Sequence, residues 1–151
     1  MPEFRILDLC DAAGAIREPL WLARAETVHR QLRPDLPADY VAKMSRVCAG
    51  GGRVTLALHD EAVAGLALWR CHEDTYSERG IKFYVDDLVT DESQRSQGAG
   101  HALIEALGAR ARALGAGGLT LDSGVQRFRA HAFYFREGFF ITAHNFKKQL
   151  V

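Results

Sequence analysis

The stretch Gln94-Arg95-Ser96-Gln97-Gly98-Ala99-Gly100 lies between an apolar run, Phe83 to Thr90, and a run that is apolar at helical spacing, Ala102 to Leu114. It therefore reads as the loop where a strand hands over to a helix. Two glycines two residues apart leave backbone N–H groups uncovered at that point. The first turn of the helix adds unpaired donors and the positive end of its macrodipole. Such a loop is a seat for phosphate. Side chains at 98 and 100 would stand between phosphate and backbone, whereas Ala99 between them can point away.

The commoner nucleotide-binding motifs do not fit this loop. A dinucleotide fold wants a third glycine where Leu103 stands, and a P-loop wants Gly-Lys followed by Ser or Thr, which is absent. What remains is Arg95-x-x-Gly98-x-Gly100 after a strand, with Leu103 and Ile104 inside the helix.

Outward from the loop, Ile81 to Thr90 reads as a strand, and Leu103, Ile104, Leu107, Ala111 and Leu114 mark a helix stopped by Gly115, Gly117 and Gly118. Leu119 to Leu121 reads as a buried strand. A helix is expected over about Arg129 to Glu137, ending at Gly138, with a final strand over Phe139 to Phe146. Upstream, Phe4 to Leu7 suggests a first strand. Asp11 is a candidate N-cap for a helix through about Leu32, and Asp39 for a second one ending at Gly50-Gly51-Gly52. Val54 to Leu58 and Val63 to Trp69 form a hairpin across His59-Asp60-Glu61, and 73–80 is an exposed polar loop. This order predicts a mixed sheet with helices on both faces and one parallel crossover.

A second stretch, Ala130-His131-Ala132-Phe133-Tyr134-Phe135-Arg136-Glu137-Gly138-Phe139, follows about 30 residues after the glycine loop. The two together resemble the GNAT superfamily of acyl-coenzyme A dependent N-acetyltransferases. Its pyrophosphate loop is Gln/Arg-x-x-Gly-x-Gly/Ala, and its later motif is Ala-x-x-Phe-Tyr-x-x-x-Gly-Phe. The resemblance implies an α/β fold with a mixed, mostly antiparallel, splayed sheet of six to seven strands and about four helices. It implies acetyl-coenzyme A (acetyl-CoA) as cosubstrate, with the backbone of Leu88, Val89 and Thr90 along the pantetheine and the amides of Arg95, Ser96, Gln97, Gly98, Ala99, Gly100 and His101 around the pyrophosphate. Tyr134 corresponds to a tyrosine that protonates the leaving thiolate. One position departs from the pattern: the family often has Asn three residues before the motif's first alanine, and here that residue is Arg127.

Transfer to an amine also needs the amine neutral, although an alkyl amine has a pKa near 10. A carboxylate beside the thioester can take that proton, directly or through water. Asp86 and Asp87 directly precede Leu88 and are the candidates, and polyamine-acetylating members of the family often carry an acidic pair there. Strand alternation sends the two side chains to opposite faces, so one of them is expected to meet the substrate, and Asp86 is favoured. A salt bridge to Arg70 or Lys82 is the competing use of the pair. Trp21, Trp69, Tyr76 and Tyr84, with Glu73, Asp74 and Glu78, could form an aromatic and acidic mouth for a cationic amine.

Composition sets the outer limits. With 25% charged and 48% hydrophobic residues among 151, the chain has the make-up of an ordinary globular protein, expected to form one domain over 1–151. Lys+Arg and Asp+Glu both total 19, so no overall field favours nucleic acid. The charge is uneven: residues 1–100 hold 16 acidic and 12 basic side chains, and 101–151 hold 3 and 7, a balance of −4 against +4. The basic half suits an anionic ligand. No run is long enough for a membrane span and the N-terminus has no apolar signal core, so no membrane partner and a cytoplasmic location are expected. Cys10, Cys48 and Cys71 are read as reduced, mostly buried thiols, and the six histidines show no metal-ligand spacing.

The function expected from these residues is acetyl transfer from acetyl-CoA to the primary amine of a small molecule, by direct attack in a ternary complex. Acetylation of a protein or peptide amine is the alternative, and a non-catalytic acyl-CoA binding module is the rival from another class. The resemblance leaves a homodimer open.

Overall fold

The computed structural model describes residues 2–151, which divide into two compact units, one reaching to Thr120 and the other running from Leu121 to Val151. The first is built on a sheet of order β1-β2-β3-β4-β5, with β1 at Arg5–Asp8, β2 at Arg53–His59, β3 at Ala62–Glu73, β4 at Ile81–Thr90 and β5 at Leu119–Leu121. The pairs β1/β2, β2/β3 and β3/β4 are antiparallel. Helices α1 (Pro19–Leu32), α2 (Tyr40–Ala49) and α3 (Ala99–Ala113) belong to this unit, and α4 (Phe128–Arg136) to the second. A mixed α/β fold with a mostly antiparallel open sheet and four helices is what the sequence led us to expect. The sheet has five strands rather than six or seven.

Both faces of β2 are buried, which accounts for a run from Val54 to Leu58 that is apolar except for Thr55. On one face Val54, Leu56 and Leu58 join Leu66, Leu68 and Val89 against Leu22, Ala25 and Val28 of α1 and Tyr40, Met44 and Cys48 of α2. On the other, α3 comes so close that a Cβ on Gly65 would lie 3.0 Å from Leu103 Cδ1 and 3.1 Å from the Val89 carbonyl. Gly65 is the residue that lets the helix approach. Further along that face Trp69 stacks on Phe83 with ring centroids 4.7 Å apart and donates from Nε1 to Thr55 Oγ1 at 2.9 Å. Thr55 in turn donates to Asp8, whose carboxylate is gripped by Arg110 of α3 at 2.7–3.0 Å.

Asp39 caps α2 as expected, accepting from the Ala42 amide at 3.1 Å. Asp11 does not start a helix. Its Oδ1 accepts the amides of Ala13 and Ala15 at 3.0 and 2.9 Å, closing a turn, and α1 begins only at Pro19, where proline's fixed φ suits the first helical turn. The strand expected over Phe139 to Phe146 is also not formed, and 139–151 has no regular secondary structure. Phe139, Phe140 and Ile141 are residues that favour strands, but a strand exists only where a neighbouring strand takes up its backbone donors and acceptors.

The three cysteines are free thiols, Cys48 buried and Cys10 and Cys71 partly so. Cys10 Sγ lies 3.4 Å from Cys48 Sγ. Hydrogen bonding from Cys48 lowers the Cys10 thiol to about 6, with the Arg53 charge adding to the effect, while Cys48 is pushed up. Among the described residues, no helix is long and apolar enough to cross a membrane.

Candidate active site

Everything about the acidic pair follows from an irregularity in β4. The register of β3 against β4 slips between Leu68 and Trp69: Leu68 lies opposite Asp87, while Trp69 lies opposite Val85. Asp86 is therefore the extra residue of a β-bulge, and the alternation that should send Asp86 and Asp87 to opposite faces is broken there. Leu68 and Arg70 share one face of β3. Asp87 stands opposite Leu68 and reaches α1, and Asp86 accepts from Arg70 Nε at 2.8 Å. Both carboxylates thus face the α1 side, correcting the expectation that only one does. Downstream of the bulge, Leu88, Val89 and Thr90 pair in regular register with Ala67, Leu66 and Gly65.

The two carboxylates differ in their surroundings. Asp87 is buried and takes three donors, Arg33 Nε at 2.8 Å and Nη2 at 2.6 Å on Oδ1, and His29 Nε2 at 2.8 Å on Oδ2. The other imidazole nitrogen, Nδ1, lies 2.9 Å from the Tyr40 hydroxyl. Burial of itself pushes the Asp87 carboxyl up, but the hydrogen bonds from His29 and Arg33, with the Arg33 charge, outweigh it and hold the group below the usual carboxylate range. Burial likewise pushes the Tyr40 phenol up. Asp86 has Arg70 as its ion-pair partner and keeps 26% of its side chain exposed. The salt bridge weighed as the competing role is present, and it leaves a solvent-facing carboxylate.

After Thr90 the chain turns through a short 3-10 segment, Glu92–Gln94, braced from α1. Gln31 donates to Asp91 at 2.9 Å and accepts the Glu92 amide at 2.9 Å. The glycine loop follows. Ser96 sits in the left-handed region at φ 65°, uncommon for a side chain other than glycine, and Gly98 follows at φ 99° as the N-cap of α3. No side chain caps α3 and its first turn carries no acidic residue, while Ala99 and Gly100 are buried against the body of the unit. Arg95, Ser96 and Gln97 are exposed, and His101 is the third residue of the helix. Left-handed residues leading into an uncapped helix start aim successive N–H groups one way, as an anion-binding nest does. This loop fits a pyrophosphate.

In the second unit, Tyr134 lies in α4 with Phe133 and Phe139 edge-on at centroid distances of 5.5 and 5.6 Å. Burial raises its phenol above the ordinary value, and the Arg127 charge offsets part of that rise. A raised phenol stays protonated and can give a proton.

The aromatic residues proposed for an acceptor mouth are already engaged by the chain's own cations. Arg24 and Arg5 lie over Trp21 at 4.8 and 5.6 Å, and the Lys82 ammonium lies 5.2 Å from the Tyr76 ring centroid and 5.1 Å from that of Tyr84. Trp69 is a core residue. His29 and Arg33 escaped the reading of the sequence. A signal was present, since His29 falls on the same helical face as Leu22, Ala25 and Val28, where an unpaired polar group would be costly.

Comparison with known proteins agrees with this architecture. The family model described as acetyltransferase (GNAT) family matches residues 17–139. A Bacillus subtilis (strain 168) protein described as the uncharacterized N-acetyltransferase YhdJ is 30% identical over 127 residues, covering 83% of this chain and 89% of the relative. Among solved structures, the aminoglycoside N-acetyltransferase AAC(6')-Iy in complex with CoA superposes with a TM-score of 0.83 at 16% identity, covering 99% of this chain and 96% of that one. A Trypanosoma brucei acetyltransferase gives 0.74 at 22% identity, covering 99% and 100%. The strand-to-helix glycine loop and the β4 strand before it thus belong to an N-acetyltransferase of the GNAT family.

Proposed function

We propose that this enzyme acetylates the primary amine of a small molecule by direct attack, with acetyl-CoA as donor. The observation that carries the reading is the bulge at Asp86. It turns a partly exposed carboxylate to the α1 side, two residues before Leu88, with which the backbone segment assigned to the pantetheine begins. When bound, acetyl-CoA supplies the acetyl group as a thioester, with coenzyme A thiolate as the leaving group.

The residues divide the work as follows. The amides of Arg95 to His101 hold the pyrophosphate, and the backbone of Leu88 to Thr90 holds the pantetheine and polarises the thioester carbonyl. Asp86 takes the proton from the incoming ammonium, directly or through one water, so that a neutral amine attacks. Asp87 has both oxygens filled by α1 donors and is the weaker base. Tyr134, which its raised pKa keeps protonated, gives its phenolic proton to the sulfur as the C–S bond breaks, and the proton that the nitrogen sheds as the amide forms restores the phenol, directly or through water. No enzyme-bound acyl intermediate is needed, and Cys10 and Cys48 are turned toward each other. A small acceptor agrees with fold-level neighbours that are aminoglycoside acetyltransferases, one of them solved with sisomicin.

The test is release of free thiol from acetyl-CoA in the presence of small polyamines, aminoglycosides and lysine-containing peptides. We expect turnover with at least one small amine and none with peptides. Turnover confined to peptides would replace the acceptor class. Binding of acetyl-CoA by calorimetry without turnover on any amine would make the chain a binding module.

A further inference from the structure

The four groups Tyr40, His29, Asp87 and Arg33 form one connected polar cluster across the core side of the sheet. It joins α2 to α1 and α1 to β4. His29 is only 1% exposed, so its ring has been taken out of water, and a cluster of this kind seldom stabilises a fold better than apolar residues of the same volume. Its position suggests another use. Arg33 spans the bulge, with Nη2 2.6 Å from the Asp87 carboxylate and 3.4 Å from the Asp86 carbonyl. A carboxylate only accepts, so Nε2–H of His29 donates to Asp87, and both imidazole nitrogens, both Asp87 oxygens and the Tyr40 hydroxyl have a partner within the cluster. A bulge is the place where a strand is least constrained by its ladder, because the extra residue has no partner opposite.

We propose that His29 and Arg33 are positioning residues for acetyl transfer: by holding both oxygens of Asp87 they fix the β4 bulge, and with it the aim of the Asp86 carboxylate and of the Leu88 to Thr90 backbone. Neither touches substrate. His29, buried beneath the strand, sets the depth of Asp87, and Arg33, half exposed at the C-cap of α1, closes it from the solvent side. The catalytic part of this inference rests on the acetyl-transfer reading above, whereas its structural part does not.

Two readouts on the full chain keep the two separable. The first is amide hydrogen exchange by NMR, for the wild type and for His29→Leu and Arg33→Ala. Both variants should speed exchange at Asp86 to Thr90 by about tenfold or more, while β2 amides in the same sheet keep their wild-type protection. Unchanged exchange at Asp86 to Thr90, or an equal rise across β2, overturns the inference whether or not any amine is turned over. The second is steady-state kinetics with the amine found active. His29→Leu should lower kcat about a hundredfold, as a small misplacement of reacting groups does, with KM for acetyl-CoA within about twofold. His29→Gln, which keeps an N–H donor for Asp87, should recover most of the loss. A KM-only effect, or no difference between Leu and Gln, overturns the positioning role. Absence of turnover in the wild type would refute the acetyl-transfer reading alone, and the exchange measurement would still decide the clamp.

Discussion

Asp86 and Asp87 are adjacent carboxylates with unlike surroundings, and the difference is a matter of donors. Asp87 has three, from α1, and Asp86 has one ion pair and a share of solvent. From the sequence the pair could be located but not told apart, because the groups that distinguish them stand more than 50 positions away, at His29 and Arg33. The alternation rule used to separate them failed for a local reason, the extra residue at 86. Asp87 should also leave a signature in stability. Its carboxyl is held below the ordinary 3.8 in the folded chain, so its stabilisation is complete above that value and is lost as pH falls through the folded one. Asp87→Asn, measured by urea unfolding, should cost about 3 kcal/mol near neutral pH, since it breaks a buried ionic cluster. The gap to wild type should narrow as pH drops below about 4. A gap that stays constant down to about pH 2 would mean that Asp87 is not ionised in the native state.

Among the elements, those with their own local signal were legible. Asp39 and the Gly50-Gly51-Gly52 run bracket α2, two apolar runs on either side of His59-Asp60-Glu61 make the hairpin, and α3 follows its glycine loop. Where a polar residue could cap either a turn or a helix, as at Asp11, local chemistry was ambiguous, and Pro19 set the true start of α1. The segment from Phe139 has strand-like composition but no paired neighbour to make it one. The glycine loop was read from two residues and holds the backbone that reading required, with Gly98 at φ 99° opening α3. Gly98→Val should therefore act on the ligand more than on the fold. A β-branched residue in the left-handed region costs about 1–2 kcal/mol, which lowers Tm by about 5 °C in a chain of this size. Calorimetry should show loss of detectable acetyl-CoA binding with helix content retained. Undiminished binding would remove the loop from the pyrophosphate site.

For the molecule as a whole, the two motif-bearing stretches fall one in each unit, the β4 to α3 segment in the first and the Tyr134 helix in the second. The sequence announced both by motif, and the family match spanning 17–139 includes both. The acceptor was not legible. Of the aromatic rings offered for it, Trp21, Tyr76 and Tyr84 are engaged by Arg5, Arg24 and Lys82, and Trp69 lies in the core. The proposed transfer is direct between two bound substrates, with Asp86 and Tyr134 handling the protons and no acyl group parked on the protein. Initial velocities of thiol release, measured while acetyl-CoA and the active amine are both varied, test this most directly. Reciprocal plots that intersect, together with no acetylated protein by mass spectrometry when amine is withheld, are predicted; parallel lines with an acetylated cysteine would contradict it.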